Sequence, residues 1–410
     1  MSFFVSASWL LCAAGQANAA PASQFLKFRS ESELARFEQA YPAAQRVHPK
    51  LLWLELNAQS LTSLSQSQAK NFGVIKVEND SVGYRIPKPR LEQSLQADVP
   101  NNKLWGINKI HSTTAWAKTQ GSEDVVVAVV DTGIDFNHPA LNQNMWVNQA
   151  ELNGKPGVDD DGNGYVDDIY GADFISGHDS PLDDEGHGSH VAGTIAGFNP
   201  ADKFFGVAPH ARVMAVKTHN TKGEGSKSSV VKGILYAADM GARVLNCSWG
   251  GAPEADDFDQ LLFDAIQYAN KKGAVLIAAA GNESENNDVG PHYPANYDLG
   301  GIVSVAASDS ADHRAYFSNY GPRTVDLAAP GSNIWSVLKG GKSYVSESGT
   351  SMATPHVAGA AALLASTPEG RAMSAEQMRD TLMANVEKMT EWSNRVISGG
   401  RLDVSFIGKK

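Results

Sequence analysis

Residues 125–130 read V-V-V-A-V-V and end on Asp131. A near-continuous apolar run of this length is a strand buried on both faces, as in a parallel sheet. Residues 213–217 and 274–280 repeat the pattern and predict two more such strands. From residue 350 the pattern changes. Small and apolar residues run on with helical spacing to 365, and Pro355 is expected in the first turn or so, where a missing N–H costs little. Buried strands alternating with helices predict an α/β domain around a mainly parallel sheet.

The N-terminal part is patterned differently. Residues 24–29 alternate like a strand, and Leu34, Phe37 and Tyr41 lie at helical spacing. Residues 51–56 read as strand, 66–71 as a short helix and 74–86 as strand-turn-strand. Short strands with two helices predict a small α+β sandwich of ferredoxin-like type. Pro87, Pro89 and Pro100 then bracket a polar stretch that reads as an exposed linker.

Ahead of all this, residues 1–19 carry no charged side chain, are largely apolar over 3–14, and close on Ala17-Asn18-Ala19. That is the composition of a secretory signal peptide, so the expected location is outside the cell. The run is too short for a comfortable membrane span, and no other stretch is long and apolar enough. Of the two cysteines, Cys12 falls in this leader and Cys247 in the body, so no internal disulfide is expected.

Charge separates the same regions. The 410-residue chain has a formal net charge of -11. Residues 20–97 hold ten Lys/Arg against seven Asp/Glu, which leaves the remainder at -14. An acidic body argues against nucleic-acid binding and favours cations, and a basic segment can dock on it.

Candidate chemistry lies at the ends of the predicted elements. Ser351 stands in G-T-S-M-A-T-P-H-V-A-G (349–359), at or just before a helix start, where backbone N–H groups suit a developing negative charge. Taken alone it is as readily a helix cap. Asp131 opens D-T-G at the carboxyl end of a buried strand, where α/β sheets place their chemistry. D-T-G by itself also occurs in aspartic proteases. His187 stands in G-H-G-S-H-V-A-G-T (186–194); His190 offers a rival reading as a zinc pair, but H-E-x-x-H is absent. Asn282 stands in A-A-A-G-N-E (278–283), which alone reads as a turn.

Together, in the order Asp, His, Asn, Ser, these four strings resemble the motifs of the subtilisin-like serine proteases (subtilases). The resemblance covers residues 101–406. It implies a subtilisin-like three-layer α/β fold with a mainly parallel central sheet, preceded by the ferredoxin-like propeptide. It implies a signal peptide at 1–19, a propeptide at 20–97 that assists folding and inhibits, and a catalytic domain at 98–410. Asp131, His187 and Ser351 are then the triad, and Asn282 donates to the oxyanion. Gly223 and Gly225 in K-G-E-G-S, with Ser248, Trp249 and Gly250, resemble two cleft walls that pair with a peptide as an added strand. Ala279 and Gly281 line the same cleft. His292-Tyr293-Pro294-Ala295 resembles the floor of the pocket for the residue before the cut bond, with Tyr293-Pro294 cis. Glu283 and His292 there suggest tolerance of polar or basic side chains. Expected partners are polypeptide substrates and the propeptide itself, with no nucleic acid, and the chain is expected to be a monomer.

One insertion adds a metal. Residues 156–185 hold ten Asp/Glu and no Lys or Arg. Asp159, Asp161, Asn163 and Tyr165 follow the front half of an EF-hand-type calcium loop, with Gly164 at the sharp turn. Tyr170 occupies the place of the twelfth-position Glu, so further ligands must come from Asp168, Asp173 or Asp179. The bland alternative is a solvated acidic loop. Ca2+ is the expected cofactor, structural rather than catalytic. The loop 198–206 has only Asn199 and Asp202 as side-chain oxygens, so the sequence does not predict a second calcium site there and leaves the number of sites open. The rival functions are an inactive subtilase scaffold used for binding, a general acyl hydrolase, and an interaction module built on the N-terminal segment.

Overall fold

The computed structural model describes residues 23–57, 66–87, 90–96, 103–177, 180–252 and 259–409. The leader reading, Asp179 and part of the proline-bracketed stretch lie outside these residues. By contact the chain divides into two compact units, residues 1–82 with 259–265, and residues 83–258 with 266–410.

The first unit holds a four-stranded antiparallel sheet. Its order is Gln45–Arg46, Trp53–Asn57, Ser23–Phe28, Val74–Asn79. The helix Glu31–Ala40 starts because the Ser30 hydroxyl accepts the Glu33 N–H, and Glu31 and Glu33 favour its positive end. Its Leu34 and Phe37 pack with Leu26, Phe28, Leu54 and Leu56 into one small core.

The second unit is built on a nine-stranded sheet that is parallel except at one edge. Its central strand, Val126–Asp131, lies between Arg212–Lys217 and Val244–Cys247. The chain leaves this strand toward one side, returns, and continues outward on the other through Val275–Ala279 and Ile302–Ser308. Asp131 therefore ends the strand at which the order reverses, the place where open α/β sheets bind ligands. Val127 and Val129 face the helices His187–Ala196 and Thr350–Ala365 in the main core. Each such side chain contributes about 1.5–3 kcal/mol by burial. The helix Lys227–Asp239 covers the other face, where its Gly233 lies against Val216.

Three expectations about local structure change. Tyr84–Arg85 is a strand, but it pairs with Glu224–Gly225 and not with residues 74–79. Residues 90–96 are not linker but strand, paired antiparallel with Tyr344–Ser348. An alternating pattern marks a strand without naming its partner, and flanking prolines do not exclude one. Pro355 lies deeper in its helix than the first turn. The carbonyl it leaves without an i+4 donor, that of Ser351, accepts the Ser248 hydroxyl at 2.9 Å.

Candidate active site

Asp131 and His187 are both buried, and His187 Nδ1 lies 2.8 Å from Asp131 Oδ1. The Thr132 N–H holds the same carboxylate oxygen at 2.8 Å. His187 opens its helix because Gly186 adopts φ +125 just ahead of it, a conformation that favours glycine. Burial pushes the imidazole pKa down, but the charge of Asp131 and its hydrogen bond, with Glu347 and Glu185 nearby, outweigh it and place it at about 9. His187 Nε2, the nitrogen facing away from Asp131, has no hydrogen-bond partner among the described residues.

Ser351 is the second residue of the helix Thr350–Ala365, all of which is buried. Its hydroxyl donates to the Ser248 carbonyl at 2.8 Å and not to His187. Asn282 follows the strand Val275–Ala279, and its Oδ1 accepts from Thr350 N and from Thr350 Oγ1, both at 2.9 Å. The amide is thereby oriented with Nδ2 away from these donors. Gly281, at φ +111, makes the turn possible; a Cβ there would meet Asn319 Nδ2 at 2.3 Å.

The expected cleft walls come together around the chain's own residues 84–86. Ile86 N donates to Gly223 O at 2.9 Å, and Arg85 exchanges N–H···O bonds of 3.1 and 3.2 Å with Gly250. Gly225 pairs with Tyr84, whose ring stands edge-on to Trp249 at 5.3 Å. Trp249 is fixed by its own N–H to Val130 O at 2.7 Å. Ala279 and Gly281 are buried beside Asn282. The ring of His292 lies close against Gly250, where a Cβ would meet its Nε2 at 2.3 Å. Glu283 accepts from Asn319 Nδ2 at 2.9 Å, and Tyr293-Pro294 is cis.

One supporting residue escaped the motifs. Asp183 is buried and accepts from Thr132 Oγ1 (2.9 Å), Gly186 N (2.8 Å), Ser189 N (2.9 Å) and Ser189 Oγ (2.6 Å). It ties the Asp131 turn to the start of the His187 helix. An acid four residues before a helix-opening His was the available signal. His190, the rival metal ligand, is buried with Nε2 3.0 Å from Ile334 O, and burial lowers its pKa to about 3. Cys247 is buried and its thiol pKa is raised by burial.

In the acidic insertion Asp159 and Asp161 come together with Glu151. One oxygen from each lies within 4.8 Å of the others. Glu151 is the ligand candidate the sequence reading missed. It is buried, and it accepts the N–H groups of Asp160 (2.7 Å), Asp161 (3.2 Å) and Asp167 (3.0 Å). The N–H groups of Gly164, Gly162 and Asn163 hold Asp159 below the usual carboxylate range. Asn163 donates to Asp161 and to Asp168. Asp168 is buried and also bound by Tyr236 OH (2.6 Å) and Asn148 Nδ2 (2.8 Å); burial raises its pKa. The Tyr165 ring packs edge-on against Phe174 and Tyr236. Asp173 is spent on Ile175 N, Ser176 N and Ser176 Oγ. Asn199 and Asp202 bind each other and Tyr344 OH.

Comparison with known proteins agrees with the geometry. The sequence pattern of the subtilase family matches residues 122–399. Thermitase of Thermoactinomyces vulgaris is 38% identical over 291 residues, 71% of this chain and 90% of that protein. A thermophilic serine proteinase of Bacillus sp. (strain AK1) is 40% identical over 263 residues, 64% of this chain but only 57% of that protein's length. Subtilisin Savinase of Lederbergia lenta is 38% identical over 260 residues, 63% of this chain and 83% of that protein.

Proposed function

We propose, for a chain that belongs to the subtilase family and is a serine endopeptidase, that Asp131, His187 and Ser351 hydrolyse peptide bonds through an acyl-enzyme. The observation that carries this is the buried Asp131–His187 pair at the sheet's reversal point, with Ser351 at a helix start held to the cleft wall. His187 Nε2 takes the Ser351 proton as Oγ attacks the carbonyl carbon, then returns it to the leaving amine. Water repeats the cycle on the ester, giving acid and free serine. Asp131 holds the imidazole tautomer and stabilises the imidazolium. Asn282 Nδ2 and the Ser351 N–H stabilise the oxyanion.

Residues 1–19 direct secretion, and residues 20–97 act as inhibitor and folding aid, cut off by the enzyme itself. The strand order of the first unit and the pairing of residues 84–86 between the cleft walls support this reading. Antiparallel pairing of Arg85 with Gly250 sets Pro87 opposite Ser248, whose carbonyl holds the Ser351 hydroxyl. The first maturation cut therefore falls at or next to Pro87–Lys88, and residues 88–97 leave in later cuts, which frees the strand Tyr344–Ser348. The mature enzyme works as a monomer.

The acidic insertion holds Ca2+. Three carboxylates this close repel unless neutralised, and hard oxygen donors suit that ion. Asp159, Asp161 and Glu151 are the principal ligands, with Asn163, the Tyr165 carbonyl and Asp168 around them. The ion supplies fixed positive charge and ties the loop together; it takes no part in hydrolysis.

The test is cleavage of an unfolded protein by wild type and Ser351→Ala. Fragments with wild type only are expected. An inactive scaffold predicts no difference between the two.

A further inference from the structure

The mechanism leaves one buried charge unused. Glu347 lies in the strand Tyr344–Ser348, four residues before Ser351. It is 7% exposed, and its Oε2 accepts no hydrogen bond among the described residues. Among the described residues no lysine or arginine forms an ion pair with it. His187 pulls its pKa down, and Glu185, Asp183 and Asp131 oppose it with like charge. Burial, then that like charge, raises its pKa to about 7 against the pull of His187. An unpaired carboxylate in such a place costs stability, so a purely structural role does not account for it.

Its strand supplies the missing context. Residues 90–96 of the same chain pair with it, Arg90 opposite Ser348 and Leu91 opposite Glu347. Residues 84–86 occupy the cleft on the other side of Ser351. A peptide crossing Ser351 therefore leaves along the Glu347 strand, so Glu347 borders the leaving-group side of the cut.

We propose that Glu347 is a specificity-determining residue that selects a lysine or arginine within the first three positions after the cut bond. The selected cation supplies the partner that Oε2 lacks. Charge complementarity of this kind sets partner choice more than raw affinity. The inference rests on Ser351 being the nucleophile.

The test uses mature enzyme and a peptide series with one cleavable bond. Each of the three positions after that bond carries Lys, Ala or Glu in turn. At one position or more, wild type should cut the Lys peptide on the order of five- to tenfold faster in kcat/KM than the Ala peptide. The Glu peptide should be slower still. In Glu347→Gln the Lys/Ala ratio should fall to about one. A wild-type ratio near one at all three positions overturns the proposal, whatever the variant does. A ratio unchanged in Glu347→Gln overturns it too. Failure of wild type to exceed Ser351→Ala on any peptide overturns the underlying nucleophile assignment instead, and this inference with it.

Discussion

The two candidate sites of this protein are assembled in opposite ways. The hydrolytic site draws Asp131, His187, Asn282 and Ser351 from a strand end, a helix start, a strand end and another helix start. Asp131, His187 and Ser351 are nearly wholly buried, and each is fixed by an element the core holds in place. The acidic loop draws most of its groups from one short exposed stretch, and its carboxylates are held largely by the loop's own N–H groups. A site carried by the core exists once the fold exists. A site carried by a like-charged loop needs a counter-ion to be equally fixed.

The sharpest break on the first side is Ser351→Ala. It should lower kcat by about a millionfold, the loss known for subtilisin itself when its nucleophile is removed, and leave Tm within about 2 °C. Next comes Asn282→Ala, with an expected loss of about 10²–10³ in kcat; that range is again subtilisin's own. Steady-state kinetics on a small peptide substrate and a thermal melt decide both. A large drop in Tm with either variant would mean the site supports the core rather than the reverse.

The loop should answer to ion removal rather than to core changes. Chelating calcium should lower Tm by about 4 °C, from ~2.7 kcal/mol of binding at a hundredfold excess over Kd. Asp159→Asn should abolish the difference between chelated and calcium-loaded protein. Glu151→Gln should weaken calcium binding more than Asp168→Asn, because a Glu151 oxygen lies within 4.8 Å of those of Asp159 and Asp161, a group to which Asp168 does not belong. Equal melts with and without calcium would return the loop to a solvated acidic segment.

The smallest effect concerns pH. With His187 as the proposed base, hydrolysis needs its neutral form, so kcat/KM should rise as pH climbs through its pKa, near 9. The Glu347 carboxylate favours the imidazolium. Glu347→Gln should therefore move the rising limb to lower pH. A limb that stays in place or moves up would show that Glu347 is electrostatically silent toward the base.

The same contrast explains what could be read from the sequence. Three strands of the nine-stranded sheet, at Val126–Asp131, Arg212–Lys217 and Val275–Ala279, and the four site strings were legible because a doubly buried strand must be apolar throughout, and because helix starts and strand ends carry short fixed strings. Partners distant in sequence were not legible. Glu151 sits in the separate short helix Gln149–Leu152, whose Asn148 cap aims it into the loop only after folding. Residues 84–85 alternate correctly for a strand, yet nothing in them says that Gly223–Gly225 and Gly250 are waiting. Ser248 reads as a wall of the cleft, and its second task, capping the carbonyl that Pro355 frees, shows only in three dimensions.

The central claim is that this chain cuts itself at Ser351. Intact mass of purified wild type and Ser351→Ala, followed over time under denaturing conditions, tests it most directly. The account predicts that wild type first resolves into two fragments divided at or next to Pro87–Lys88, while Ser351→Ala stays joined. Equal cutting of both proteins, or of neither, would contradict it.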